Sequence, residues 1–370
     1  MTPQTLTLMA ATPGLQHTLT VLRFGNPGGP VATIQAALHA DEVPALLVAQ
    51  ALRRQLTALE AAGQLIGEVR LVPYANPIGL AQQVLARGQG RFDLQDGVNF
   101  NRGYADLAEA AATALTGRLG DDPATNLRLA RSALRDAAAA LVVQTPVQDL
   151  KRQLLRLAID ADVVLDLHCD SEAVLHLYAH TLQADLAHEL GALLGAQAVL
   201  LAEESGDSPF DEACSRPGPA LQKHFPGHPL PLPCFSTTVE LRGEVDTDHA
   251  LAEADATALI NFLRRRGIVG GEPAPLPAPR CEPTLLAASE PITAPRAGVV
   301  VFHAQPGDHI AVGQTVADIV DVDTGEVLPL RALSAGVLYA RINTRWAVPG
   351  TRVAKIAGRT LVRTGKLLSA

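Results

Sequence analysis

His39, Glu42 and His168 are side chains whose types and spacing suit a metal ion. The first two lie in IQAALHADEVPALLVAQALRR. The apolar run from Val31 to Leu38 reads as a buried strand, and the apolar-periodic stretch from Val43 onward as a helix. The His-x-x-Glu pair therefore falls on a strand-to-helix turn. The third residue lies in LAIDADVVLDLHCDSEAV, where Val163 to Leu167 reads as a second buried strand with His168 just past its end. Parallel sheets bind ligands outside the carboxyl ends of their strands. Two histidines and a carboxylate there supply three zinc ligands and leave a fourth position for water, the arrangement of a catalytic zinc, one per chain. Cys169 is a softer neighbour, but strand alternation points its side chain away from that of His168.

Three further constellations surround this set. In NFNRGY, Asn101 and Arg102 form a candidate substrate anchor: a guanidinium matches a carboxylate with two parallel bonds, and the amide adds a directed donor. Arg91, in GQGRFDLQDG, is a candidate for contacting an oxyanion, with Gly88 and Gly90 leaving its backbone free to move. The alternative for both arginines is a solvated loop. Glu240 lies in FSTTVELRG, inside the strand expected from Phe235 to Leu241. A carboxylate in such a strand needs a partner or a function. It is either a general base beside a metal-activated water or half of a buried salt bridge, with Arg242 the nearest candidate partner. Glu244 stays open as an alternative base.

These residues need a scaffold that brings distant segments together. Residues 31–80 alternate strand, helix and strand, the rhythm of a parallel sheet. An entry strand precedes them, closed by the turn cluster GNPGGP. Residues 104–142 read as two helices broken at Gly120-Asp121-Asp122-Pro123, and Pro146 to Ile159 as another. Further helices are expected from Leu182 to Leu194 and from His249 to Arg266, with a long loop over 203–235. A Pro-rich linker, GGEPAPLPAPRCEP, then separates this pattern from an all-β texture with closely spaced turns. Two domains are expected, residues 1–280 and 281–370.

Composition narrows the function. With 370 residues, 48% hydrophobic and 18% charged, the chain can bury a large core. A net charge of −8 opposes non-specific nucleic-acid binding, which needs a basic face. No apolar stretch approaches the ~20 residues of a membrane span. The N-terminus carries no signal-like pattern. The four scattered cysteines form no C-x-x-C pair and read as free thiols of a cytoplasmic protein.

Together these motifs resemble the succinylglutamate desuccinylase/aspartoacylase family, relatives of the zinc carboxypeptidases, over about residues 30–265. The family's His-Gly-x-Glu corresponds to His39-Ala40-Asp41-Glu42, and its Asn-Pro-x-Gly to Asn76-Pro77-Ile78-Gly79. Its Asp-Leu-Asn-Arg corresponds to Asn99-Phe100-Asn101-Arg102, its Asp-Leu-His to Asp166-Leu167-His168, and its Thr-x-Glu to Thr238-Val239-Glu240. The resemblance implies zinc ligation by His39, Glu42 and His168, carboxylate binding by Asn101 and Arg102, base duty for Glu240 and oxyanion contact for Arg91. It implies a zinc-carboxypeptidase-like mixed, mainly parallel sheet flanked by helices. Two departures, Ala40 for glycine and Asn99-Phe100 for Asp-Leu, are expected to touch no ligand. Length and β tail look most like the branch that includes the ectoine-degradation deacetylase acting on N-acetyl-diaminobutyrate.

The tail resembles a lipoyl/biotinyl-type barrel, yet its turn VDVDTGEV has no lysine to carry a cofactor. The expected function is removal of an acyl group from a small N-acylated amino acid by a zinc amidohydrolase. A homo-oligomer fits this reading; a nucleic acid or a membrane does not. A peptide-cleaving zinc carboxypeptidase and a non-catalytic small-molecule binder on the same scaffold are the alternatives.

Overall fold

Buried β-branched runs alternate with helices that carry one apolar face, so the sheet forms first in the pattern and the helices cover it. A computed structural model describes residues 1–368. Strands β1 (Thr2–Thr7), β2 (Thr18–Gly25) and β3 (Val31–Ala36) lead into helix α1 (Pro44–Ala61) and strand β4 (Glu68–Val72). A short helix α2 (Pro77–Ala81) and a small hairpin, β5 (Gln83–Val84) with β6 (Arg87–Gly88), follow. Helices α3 (Ala108–Leu115), α4 (Pro123–Ala139) and α5 (Pro146–Ala158) come next. Then come β7 (Val163–Asp170), β8 (Glu172–Ala173), β9 (His176–His180), α6 (Ala184–Leu194) and β10 (Ala198–Ala202). Helices α7 (Phe210–Ser215) and α8 (Pro217–His224), strand β11 (Phe235–Gly243), helix α9 (His249–Arg265) and strand β12 (Thr284–Leu285) complete this part.

Among the described residues one sheet of nine strands runs β1-β2-β4-β3-β7-β11-β9-β10-β12. Its centre is parallel: β4, β3, β7 and β11 share one direction, while β1 with β2, β2 with β4, and β11 with β9 pair antiparallel. Helices α1, α6 and α9 bury one face and α3, α4, α5, α7 and α8 the other, around two apolar clusters. This is the expected mixed, mainly parallel sheet flanked by helices.

Two expectations need correction. His168 does not stand past the strand: β7 continues to Asp170 because the ladder with β11 runs on through Glu240 opposite His168. The expected loop over 203–235 contains α7 and α8. Both helices are too short for a periodic signal, but proline starts them and Phe210, Cys214 and Leu221 anchor them in the core.

The remaining strands are β13 (Ser289–Thr293), β14 (Gly298–Phe302), β15 (His309–Ile310), β16 (Thr315–Val320), β17 (Val327–Arg331), β18 (Gly336–Arg341), β19 (Trp346–Ala347) and β20 (Arg352–Gly358). They pair antiparallel in two sheets, β13-β20-β18-β15 and β17-β16-β14-β19, around their own apolar cluster. Strand β8 adds to β18, which joins this all-β unit to the segment after His168.

Candidate metal centre and reaction cleft

Strand β3 stops at Ala36, and Ala37 takes φ +56° to turn the chain out of the sheet. His39 and Glu42 follow on that turn. A second segment packs on it closely. A Cβ at Gly90 would lie 2.1 Å from the Asp41 nitrogen, so Gly90 is there for close approach and does not loosen Arg91. The Ala40 N–H donates to the Gly90 carbonyl (3.0 Å). Asn76 caps α2 by accepting from the Gly79 N–H (2.8 Å) and donates to the Leu38 carbonyl (3.0 Å). The Asn-Pro-x-Gly motif thus braces the turn from below.

Glu42 bridges the two histidines. His39 Nδ1 stands 2.8 Å from Oε1, and His168 Nδ1 stands 2.7 Å from Oε2. Ligand atoms of the three residues lie within 4.8 Å of one another, and all three side chains are buried. The outer ring nitrogens are occupied: His39 Nε2 donates to Asn99 Oδ1 (2.9 Å), and His168 Nε2 donates to Asp166 Oδ2 (2.9 Å). Asp166 is fixed in turn by Gln35 Nε2 (2.8 Å). Such outer partners set the tautomer, and here they leave both Nδ1 atoms facing one point. The donor set can hold a metal ion. The expectation that Asn99 would touch no ligand is therefore overturned, since its amide oxygen orients His39. The Cys169 backbone N–H donates to Glu42 Oε2 (3.1 Å).

Charge follows burial. Burial lowers His39 to about 4, helped by the Arg91 guanidinium. Burial alone would raise Glu42 and lower His168. Nearby charge wins: Asp166 and then Glu42 hold His168 well above its ordinary value, and His168 and then His39 hold Glu42 well below its own.

The other expected residues converge on the same cleft, about 840 Å³ including its open mouth. Arg91 Nη1 lies 3.3 Å from both Glu42 Oε1 and His39 Nδ1. Asn101 Nδ2 lies 3.3 Å from His168 Nε2, and its Oδ1 accepts from the Phe210 N–H (2.8 Å). Arg102 lines the cleft beside them and donates to the Asn101 carbonyl (2.7 Å). Burial and the neighbouring Arg91 push its pKa down, against the pull of Asp211, Asp207 and Glu212. Glu240 sits across the sheet from His168. Its Oε2 is buried without a partner, and Arg242 pairs with Asp255 instead. Burial and the Glu42 carboxylate raise Glu240 to about 8. Glu244 is raised to about 7 by burial and by Asp41, and is tied to Asn343 Nδ2 (2.7 Å).

Four contributors have no role assigned by the sequence. Asp166 carries a signal, because period-two alternation places it on the His168 face. Asn99 stands within the Asn99–Arg102 motif without a signal of its own. Asp211, buried and raised to about 7 by burial and by Glu212, lies on the unforeseen helix α7. Lys355 reaches the cleft from β20, far along the chain, and no local signal marks it.

Residues 28–221 match the succinylglutamate desuccinylase/aspartoacylase catalytic domain. A family protein of that description from Shewanella amazonensis is 27% identical, covering 96% of this chain and 98% of the other with a TM-score of 0.86. One from Shewanella frigidimarina is 24% identical, covers 96% and 97%, and also scores 0.86. The product-bound ectoine utilization protein EutE (DoeB) from Ruegeria pomeroyi is 18% identical, covers 97% and 95%, and scores 0.68. The last two share the fold. A search of curated proteins returned no match. The chain belongs to the succinylglutamate desuccinylase/aspartoacylase family.

Proposed function

We propose that this protein is a zinc-dependent amidohydrolase that removes an acyl group from a small N-acylated amino acid. One observation carries the reading: two Nδ1 atoms and a carboxylate face one point, with Glu240, whose buried Oε2 has no partner among the described residues, on the neighbouring strand. His39, Glu42 and His168 would hold one zinc per chain, and that ion would supply Lewis-acid chemistry, a more acidic water and a polarised amide carbonyl.

The protein's own groups do the rest. Arg102 and Asn101 bind the amino-acid carboxylate and fix the amide in place. Arg91 donates to the oxygen that gains charge as water adds to the carbonyl carbon. Glu240 takes the proton from the attacking water and delivers it to the nitrogen as the C–N bond breaks. The products are the free amine and the acyl carboxylate. A raised carboxyl suits the donating half of this cycle, and a nearby cation lowers it for the accepting half. Within this reading residues 1–280 carry the chemistry and residues 281–370 form an accessory all-β unit, apart from β12, which extends the large sheet.

The test is a deacylation screen of N-acetyl, N-succinyl and N-formyl amino acids and of short peptides, with metal-depleted and zinc-restored protein. Zinc-restored turnover of an acyl amino acid is expected. Peptide cleavage alone would favour the carboxypeptidase reading, and no turnover of any substrate would favour a binding protein.

A further inference from the structure

Helix α5 carries a lysine that reaches the Asn99–Arg102 turn. Lys151 Nζ donates to two peptide carbonyls, that of Asn99 (3.1 Å) and that of Arg102 (2.6 Å), and lies 5.6 Å from the centre of the Tyr104 ring. Among the described residues it forms no ion pair within 4 Å. A half-buried ammonium held mainly by carbonyls loses hydration, and burial lowers it to about 8 against the pull of Asp96. A methionine at this helix position would fill the same space without that cost.

The arrangement has a geometric use. Asn99 to Arg102 is a tight turn, closed by the Arg102 N–H on the Asn99 carbonyl (3.3 Å). One atom of Lys151 grips both ends of it. The far side is held by Gly103 and Tyr104, whose N–H groups donate to the carbonyls of Asp207 and Ser208 (2.7 and 3.0 Å). Every polar side chain of the turn acts on the site: Asn99 on His39, Asn101 beside His168, and Arg102 in the cleft. The side chain of Phe100 is the core anchor.

We propose that Lys151 is a positioning residue: by clamping the Asn99–Arg102 turn from one atom, it sets both the orientation of the metal-binding histidines and the place of the substrate anchor. The proposal rests on the reading of His39, Glu42 and His168 as zinc ligands. A shift of the turn by a fraction of an ångström would move Asn99 and Arg102 together, because Lys151 holds their carbonyls as one unit.

Zinc affinity, measured by competition with a chromophoric chelator, tests this without any turnover. Lys151→Met keeps the apolar stem and removes the donors. We expect a folded protein that binds zinc about 10-fold more weakly, the scale for loss of outer-sphere support. Lys151→Arg, which keeps donors for both carbonyls, should restore most of the affinity. With an acyl amino acid from the screen, KM should rise more than kcat falls, and the rise should vanish on an Arg102→Ala background. Wild-type zinc affinity in folded Lys151→Met overturns the proposal. So does a weakened affinity that Lys151→Arg fails to restore. Should Lys151→Met not fold, Lys151→Gln, which keeps one donor group, takes its place with the same criteria. If zinc binds with wild-type strength even after His39→Ala, the underlying metal reading has failed, which is a separate outcome.

Discussion

Glu240 is the residue on which the proposed chemistry turns, and its surroundings explain why. A buried carboxyl without a hydrogen-bond partner destabilises the fold. The site retains it beside Glu42, which raises it further. Replacement by glutamine keeps the shape and removes the titrating proton. We expect Glu240→Gln to bind metal as the parent does and to lose turnover by ~10²-fold or more, the usual scale for a general base. Its metal-free form should melt no lower than the parent above pH 8, where the parent takes on the buried charge. Glu244 serves as the comparison: its bond to Asn343 turns it toward the all-β unit, and Glu244→Gln should keep most of the turnover. The reverse ranking of the two variants would move the base to Glu244.

At the level of elements, the strand-to-turn placement of His39 and Glu42 was legible because the buried run from Val31 ends beside polar residues of metal-binding type. What remained hidden was the depth of pairing. His168 lies inside β7 since β11 continues opposite it, and pairing between residues 168 and 240 leaves no local trace. Helices α7 and α8 hid in proline-rich sequence, and with them Asp211. Their placement has a measurable consequence. Glu240, Glu244 and Asp211 have folded-state values of about 8, 7 and 7, all raised mainly by burial. A raised carboxyl contributes stability that is complete below its unfolded value and is lost as pH rises through the folded one. His39 and His176, lowered to about 4 by burial, act below pH 6.5. His168, raised, acts in the same direction as the carboxyls. Metal-free protein should therefore lose Tm between pH 6.5 and 8, and a bound divalent ion should oppose the loss, because ionised carboxylates beside a cation are favoured. Scanning fluorimetry across that window checks it; a Tm that climbs with pH in the metal-free protein would refute the assigned burial costs.

Over the whole molecule, the question is whether the all-β unit is an appendage on a proline-rich linker, as its sequence texture suggests. The contacts argue for integration. Strand β8 pairs with β18, and the Val174 N–H donates to the Tyr339 carbonyl (2.9 Å). Glu172 accepts from Arg341 (2.5 Å) and Arg345 (2.6 Å), and Asp170, two residues beyond His168, accepts from Lys355 Nζ (2.5 Å). Val174, Tyr178 and Leu200 share an apolar cluster with Leu286 and Tyr339. The unit thus grips the segment that leaves the metal centre, and two such bodies should unfold together. Calorimetry should show one transition for the full chain. The links differ in weight, however. The Arg345 side chain is 42% exposed, and its ion pair is worth at most ~1 kcal/mol. Lys355 is 27% exposed against a less exposed Asp170, and removing it strands a carboxylate near Glu240. After discounting for its partial exposure, that loss is about 1–2 kcal/mol. Lys355→Met should lower the single transition by several degrees and reduce turnover, while Arg345→Ala should leave both nearly unchanged. Two separate transitions in the parent, or equal effects of the two variants, would show that the unit is only tethered and that Lys355 does not serve the cleft.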